Sequence, residues 1–310
     1  MQTSVKNFMV NSDRGTVSLI TPTYRGDFER SALLFESIDR YVTSFERHYV
    51  IVHDEDYALF RQFHGGRRVV MRASELLPKW LHEIPLLRWR RRRYWWSFRA
   101  KPISGWHTQQ LVKIKAAATL PEDRYCLIDS DNVFFRPFDL SSIAPPHPTI
   151  LRIDRGHAGE NLPDHMTWIR TACRVLGLAE PTFPADDFID QIVIWDKRIV
   201  QAMIARIEAV TGREWAEALA HARSFSEYMT YGNFVIGSDM FREAAQISTE
   251  SFSRTHWTAD VLSRDQIIGM IETASPRQVA LCIQSFNATP VSDIRDSLLA
   301  YEASRSETAA

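Results

Sequence analysis

Tyr125-Cys126-Leu127-Ile128-Asp129-Ser130-Asp131-Asn132-Val133-Phe134-Phe135 is the stretch on which the reading of the fold turns. An apolar run ends in two carboxylates separated by one residue, and an apolar run then resumes. A solvated strand alternates polar and apolar side chains, so a continuous run of this length reads as a strand buried on both faces. The carboxyl end of such a strand is where open α/β sheets place their ligand crevice. Asp129 and Asp131 would stand there side by side. Two readings follow. Paired carboxylates suit a hard divalent cation such as Mg²⁺ or Mn²⁺, which takes one or two of them together with substrate phosphates. Asp, Ser and Asn are also ordinary turn residues, so the same letters describe a strand followed by an Asp-rich turn.

Upstream, Val17 to Tyr24 reads as a first strand stopping at Pro22, with Arg25-Gly26-Asp27 as its turn. Asp27 is placed to cap a helix whose Leu33, Leu34, Ile38 and Tyr41 fall at helical spacing. A second short strand, His48 to Asp54, ends in an acidic cluster. Tyr57 to Phe63 reads as a short helix closed by Gly65-Gly66, and Arg67 to Met71 as a third strand. The strand–helix rhythm predicts an α/β fold with a mostly parallel, doubly wound central sheet flanked by helices. Neither Gly-x-Gly-x-x-Gly nor a P-loop motif is present, which leaves dinucleotide and P-loop ATPase versions unsupported.

Residues 79 to 106 break the rhythm. Arg88 to Arg99 packs six arginines and five aromatics into twelve positions. It reads as a surface helix or loop whose arginines stack on tryptophan and pair with acids. It also reads as a docking surface for anionic lipid or a phosphate-bearing acceptor. Nucleic acid is the third reading, and a formal net charge of −1 over 310 residues argues against it. Gly105 to Ala118 reads as a helix with Leu111, Ile114 and Ala118 on one face and Gln109, Gln110 and Lys113 on or near the other. Lys113 is then either a solvated lysine or a phosphate-side one.

Further on, Asp186 to Trp195 reads as an acidic loop entering a strand, and residues 196 to 223 as an amphipathic helix region interrupted by Gly212. Phe225 to Phe234 is polar and aromatic with a single carboxylate, Glu227. Three distant cysteines, Cys126, Cys173 and Cys282, form no zinc-like pair and point to a reduced, cytoplasmic setting. No window approaches the roughly 20 apolar residues of a membrane span. The expected organisation is a polar leader over 1–16, one domain over 17–290 with halves at 17–140 and 141–290, and a C-terminal helix and frayed tail over 291–310.

Taken together, the first strand, the helix Gly105 to Ala118 with Gln109-Gln110 and Lys113, and Leu127-Ile128-Asp129-Ser130-Asp131 with Arg136-Pro137 after it resemble GT-A-fold glycosyltransferases. Through Trp106-x-x-Gln109-Gln110, Asp129-Ser130-Asp131 and Ser226-Glu227-Tyr228 with Tyr231-Gly232-Asn233, the chain more closely resembles a group of bacterial proteins long labelled as of unknown function. The resemblance covers roughly residues 17 to 262. It implies a UDP- or GDP-sugar donor across the carboxyl edge of the sheet, with Asp129, Asp131 and a late histidine, His256, around Mn²⁺ or Mg²⁺. Thr21, Pro22 and Tyr24 would border the nucleoside, Asp54 would contact base or ribose, and Gln110, Lys113 and Ser130 would lie on the donor side. It further implies a glycan or lipid-linked acceptor and, if the reaction inverts, a general base. Glu227 is the first candidate for that base and Asp187 the second. Ser224 and Glu227 also fit a helix-capping box. A Mg²⁺-dependent nucleotidyl- or phosphotransferase, and a non-enzymatic module holding anionic polymer or membrane through Arg88–Arg99, are the competing expectations.

Overall fold

A computed structural model describes residues 15–89, 92–222 and 224–308. Its strands, in chain order, include β1 (Val17–Thr23), β2 (His48–Val52), β3 (Arg68–Arg72), β4 (His82–Trp89), β5 (Arg92–Trp96), β6 (Arg124–Ile128), β7 (Asn132–Phe134), β8 (Ala185–Asp187), β9 (Ile192–Asp196), β10 (Ser253–His256) and β11 (Ala280–Ile283). The longer helices that position the site are α1 (Phe28–Tyr41), α2 (Gly105–Thr119), α3 (Pro163–Leu176), α4 (Lys197–Thr211), α5 (Glu227–Ile236), α6 (Arg264–Glu272) and α7 (Val291–Thr308).

The central sheet has the order β9-β6-β1-β2-β3. β6, β1, β2 and β3 run parallel, and β9 is antiparallel to β6. The fold is therefore mixed α/β with a mostly parallel sheet between helices. All five residues of β6 are buried, as an unbroken apolar run requires of a strand covered on both faces. One apolar cluster packs α2, α3, α4 and α5 on one face, and another packs α1 on the opposite face.

The order of the strands reverses at β1: the chain moves outward to β2 and β3, then returns to the other side with β6. Loops leaving neighbouring strands at such a reversal diverge and open a crevice. β1 runs on through Pro22 to Thr23, one residue past the expected stop. Proline interrupts a ladder because it lacks an N–H. Here the β1–β6 ladder has already ended at Ile20–Leu127, while the β1–β2 ladder continues to Thr23–Val52. Pro22 thus lies beyond the last β6 rung, beside the opening.

A second, three-stranded sheet, β10-β11-β7, begins where the crevice-side turn ends. Arg88 to Arg99, expected as a surface helix or loop, contributes instead the end of β4 and all of β5, which pair as an antiparallel hairpin within His82–Trp96. Alternation in Tyr94-Trp95-Trp96 explains it: Trp95 is buried while Trp96 remains exposed. The side chains from Arg88 to Arg92 lie outside the described residues, as does the leader before Gly15. The expected C-terminal helix is α7, whose Ile294, Leu298 and Tyr301 are buried against α6, β7 and β11. Arg295 pairs with Glu36, and Glu302 with Arg40, fixing it to α1. No helix among the described residues is long and apolar enough to cross a membrane.

Candidate functional site

The turn after β6 gathers the first part of the site. The Asp129 carbonyl accepts from the Asn132 backbone N–H at 3.2 Å and from its side-chain amide at 3.1 Å, so Asp129–Asn132 is a tight turn that presents its carboxylates at the crevice. The turn reading of Asp-Ser-Asp is therefore met. Asp131 is gripped from the second sheet: its backbone carbonyl accepts from Ile283 N–H, and Oδ2 accepts from Ser285 N–H at 3.1 Å. Oδ1 is buried and has no hydrogen-bond partner among the described residues. Burial first, and then the neighbouring Asp129 charge, push the Asp131 carboxyl up to about 6. Cys282 is buried beside it, and burial followed by the Asp131 charge holds its thiol well above the usual range.

Across the crevice, Asp27 follows the short turn that ends β1. It was expected to cap α1, but its side chain makes no cap bond there. It accepts instead from the Ser130 hydroxyl at 3.2 Å, tying the β1 loop to the β6 loop. Burial is the main reason its carboxyl is raised, with Asp129 adding to it. Tyr24, 45% exposed, folds its ring over Gly26, where a Cβ would lie 2.4 Å from the ring carbon Cε2. A larger residue at position 26 would displace that ring.

The second part of the site is a buried charge cluster. Lys113, expected on the polar side of α2, is 3% exposed. Its Nζ lies 2.8 Å from Asp129 Oδ1 and 3.0 Å from Glu227 Oε1, and it donates to the Tyr228 hydroxyl at 2.9 Å. Burial opposes the charged form of Lys113, but Asp129, Tyr228 and Glu227 outweigh it and hold the ammonium well above its ordinary value. Burial raises Glu227, against the opposing pull of Lys113. Gln110, one turn earlier on α2, accepts from the Glu227 backbone N–H at 3.0 Å. The polar, aromatic segment from Phe225 forms α5 from Glu227 onward, and its N-cap is Ser226, which accepts from Met229 N–H. The capping box built on Ser224 does not form, because Glu227 is the first helical residue rather than the third.

The remaining expected residues fall elsewhere. The Thr21 hydroxyl meets His48 Nε2 at 3.0 Å inside the sheet. Asp54 caps a turn, accepting from Ser74 N–H and from its hydroxyl at 2.6 Å. His256 stands at the end of β10, with Nε2 against the Asp260 carbonyl at 2.9 Å and the Thr258 hydroxyl at 3.2 Å. Asp187 is buried, with Oδ1 accepting from Ile189 N–H at 2.8 Å and Oδ2 against His165 Nδ1 at 2.5 Å. Arg136, part of the motif after Asp-Ser-Asp, donates to the carbonyls of Ile271, Ala274, Ser275 and Gln278, and so closes the C-terminal end of α6.

Sequence reasoning missed Asp56. It is fully buried, accepts from Arg25 N–H and Nε, and is approached by Arg93 at 3.5 Å. Arg93 also pairs with Glu55 and with Glu83, clamping the hairpin onto the loop after β2. His53 stacks on Trp95 at 5.3 Å between centroids, and burial first, then Arg93, lowers its ring to about 4. In a run of three consecutive acids, nothing distinguishes the one that faces inward.

Two carboxylates at a crevice form a hard oxygen donor set, and Asp131 Oδ1 is an oxygen with nothing bound to it among the described residues. The set fits Mg²⁺ or Mn²⁺ in the mode that uses one or two protein carboxylates and leaves the other positions to phosphate and water. Among the described residues, no group of three or more His, Cys, Asp or Glu is arranged to hold a metal by itself. Residues 15–305 match the model of the Family of unknown function (DUF6492). The chain belongs to that family. No curated protein matches it. The match spans the central sheet, the crevice and nearly all of α7, so the site lies wholly within the shared region.

Proposed function

We propose that the protein is a metal-dependent glycosyltransferase, with its sheet arranged as in GT-A enzymes. It moves a sugar from a UDP- or GDP-sugar to a glycan or lipid-linked acceptor. The observation that carries this reading is the buried, unpartnered Oδ1 of Asp131 at the strand-order reversal, next to Asp129. Asp129 and Asp131 hold Mg²⁺ or Mn²⁺, which when bound offsets the charge developing on the departing nucleoside diphosphate. Ser130 and Asp27 lock the two loops that flank the diphosphate. Tyr24, exposed at the end of β1, borders the nucleoside. Lys113, with Gln110 behind it, fixes the Asp129 carboxylate. Glu227 is spoken for by Lys113 and the helix start, so it serves the donor side and does not take the acceptor proton.

The β4–β5 hairpin supports an acceptor held at the inner face of the membrane. Phe98, just after β5, is 96% exposed, and its ring packs edge-on against the exposed Trp96. Arg93 and Arg99, by contrast, pair with acids of the protein itself. Vesicle flotation with Phe98→Ser tests this contact: equal binding to anionic vesicles by both proteins would remove it.

The reaction itself is tested by thermal shift and product analysis with UDP-, GDP- and CMP-sugars, with and without Mn²⁺. One nucleotide class is expected to stabilise the protein only with the cation and to release nucleoside diphosphate, and Asp131→Ala to abolish both. Release of pyrophosphate would instead mark a nucleotidyltransferase. If no nucleotide sugar binds or turns over, the reading is wrong.

A further inference from the structure

The proposed donor site leaves one constellation unused. Asp187 is buried, and its two oxygens are committed: one to Ile189 N–H, the other to His165 Nδ1. A carboxylate accepting from Nδ1–H fixes the tautomer that leaves the lone pair on Nε2. His165 is 20% exposed, and its Nε2 has no hydrogen bond among the described residues. The imidazole therefore presents a basic nitrogen outward from a carboxylate that cannot itself act.

The surroundings of that nitrogen are aromatic. His165 and Trp168 are three residues apart on α3, with ring centroids 4.9 Å apart. Trp168 in turn packs on Trp106 at 5.3 Å and 33°. Trp106 opens α2 and is 42% exposed, an unusual position for the largest apolar side chain. A rigid indole face open to solvent beside a polar tip suits a ring that is apolar on one face and hydroxylated at its edge.

Two chain paths bring this platform to the crevice. Trp106, Gln110 and Lys113 stand at i, i+4 and i+7 on α2, on one side of the helix and about 10 Å from end to end. Lys113 touches Asp129. Along the other path, Asp187 precedes β9, whose first residue Ile192 pairs with Ile128, the residue before Asp129. Phe188 fixes that loop on α5: a Cβ at Gly232 would lie 2.1 Å from the Phe188 ring.

We propose that Trp106 and Trp168 form the acceptor subsite, which takes a sugar hydroxyl, and that His165, held by Asp187, is the general base. This rests on the glycosyltransferase reading and extends it. As the bond from the anomeric carbon to the diphosphate breaks, the acceptor oxygen bonds to that carbon and its proton passes to His165 Nε2. The electron pair of the broken bond leaves with the nucleoside diphosphate. A single displacement of this kind inverts the anomeric configuration.

The test has two arms. Saturation-transfer NMR with a panel of methyl α- and β-hexopyranosides needs no turnover. At least one glycoside is expected to bind wild-type protein, and Trp106→Ala to weaken it by about tenfold or more. If no glycoside binds, or binding ignores Trp106, the platform is refuted. In the second arm, transfer to the bound glycoside is followed. His165→Ala and His165→Gln are expected to lower kcat by about 100-fold or more, with donor KM unchanged, and added imidazole to restore part of the rate in His165→Ala. Wild-type turnover in either variant, or a product of retained configuration, would overturn the assignment. Failure of wild-type protein to bind any nucleotide sugar would strike the donor reading alone, since the glycoside arm stands apart from it.

Discussion

Asp131→Asn gives the sharpest physical test of the crevice. The Asp131 carboxyl titrates near 6 in the folded protein against an ordinary 3.8. The folded state therefore holds the proton more tightly than the unfolded chain, and stability falls as pH rises through the interval from 3.8 to 6. A shift of 6 − 3.8 = 2.2 units, at 1.36 kcal/mol each, is a cost of about 3 kcal/mol once pH exceeds 6. At pH 5 the same two values leave about 1.6 kcal/mol, because the folded carboxyl is still mostly protonated. Asparagine keeps an oxygen for Ser285 N–H and removes the charge. In urea denaturation with EDTA, Asp131→Asn is expected to be more stable than wild type by about 3 kcal/mol at pH 8 and by about half of that at pH 5. Adding Mn²⁺ should stabilise wild type and leave the variant unchanged, because only the ionised carboxylate gains a ligand. If the variant is no more stable than wild type at pH 8, the account of a buried carboxylate with one unpartnered oxygen is wrong.

Three further outcomes test other parts of the structure. Lys113→Met strands two carboxylates, and a loss of about 3–5 kcal/mol is expected in chemical denaturation; Glu227→Gln in the same background should recover part of it. Gly232→Ala forces the Phe188 ring off α5 and should cost about 1–3 kcal/mol, read as a lowered thermal midpoint. His256→Ala, whose ring is engaged by Asp260 and Thr258, is expected to change Mn²⁺ affinity in calorimetry by less than about twofold; a tenfold loss would place that ring at the cation.

The sheet was legible because its strands are short apolar runs set between turn residues, and burial on both faces leaves no other pattern. What the periodicity could not carry is polarity that faces inward. Lys113 and Gln110 look like a solvent face on α2, yet Glu227, more than a hundred residues later, covers them. The Arg/Trp stretch looked like one charged surface, whereas strand alternation divides it, sending Trp95 in and Trp96 out. Asp54 and Asp56 are equivalent letters in one acidic run, and only the positions of Arg25 and Arg93 decide which is buried. His165 and Asp187 lie 22 residues apart with no spacing rule to join them. The motif arginine, Arg136, was visible as a motif member, but its work as a scaffold for α6 depends on four carbonyls near the far end of the chain.

That reach across the chain has a consequence for how the protein is made. The grip on Asp131 comes from Ile283 and Ser285. Chains emerge from the ribosome amino end first, and early segments fold as they appear. The central sheet has all five of its strands by Asp196, so it can assemble while β10 and β11 are still being synthesised. During that interval the crevice is open and its carboxylate is unheld. Nascent chains arrested before Ser285 would therefore carry the finished sheet without the backbone grip on Asp131, which would be among the last contacts the growing polypeptide makes.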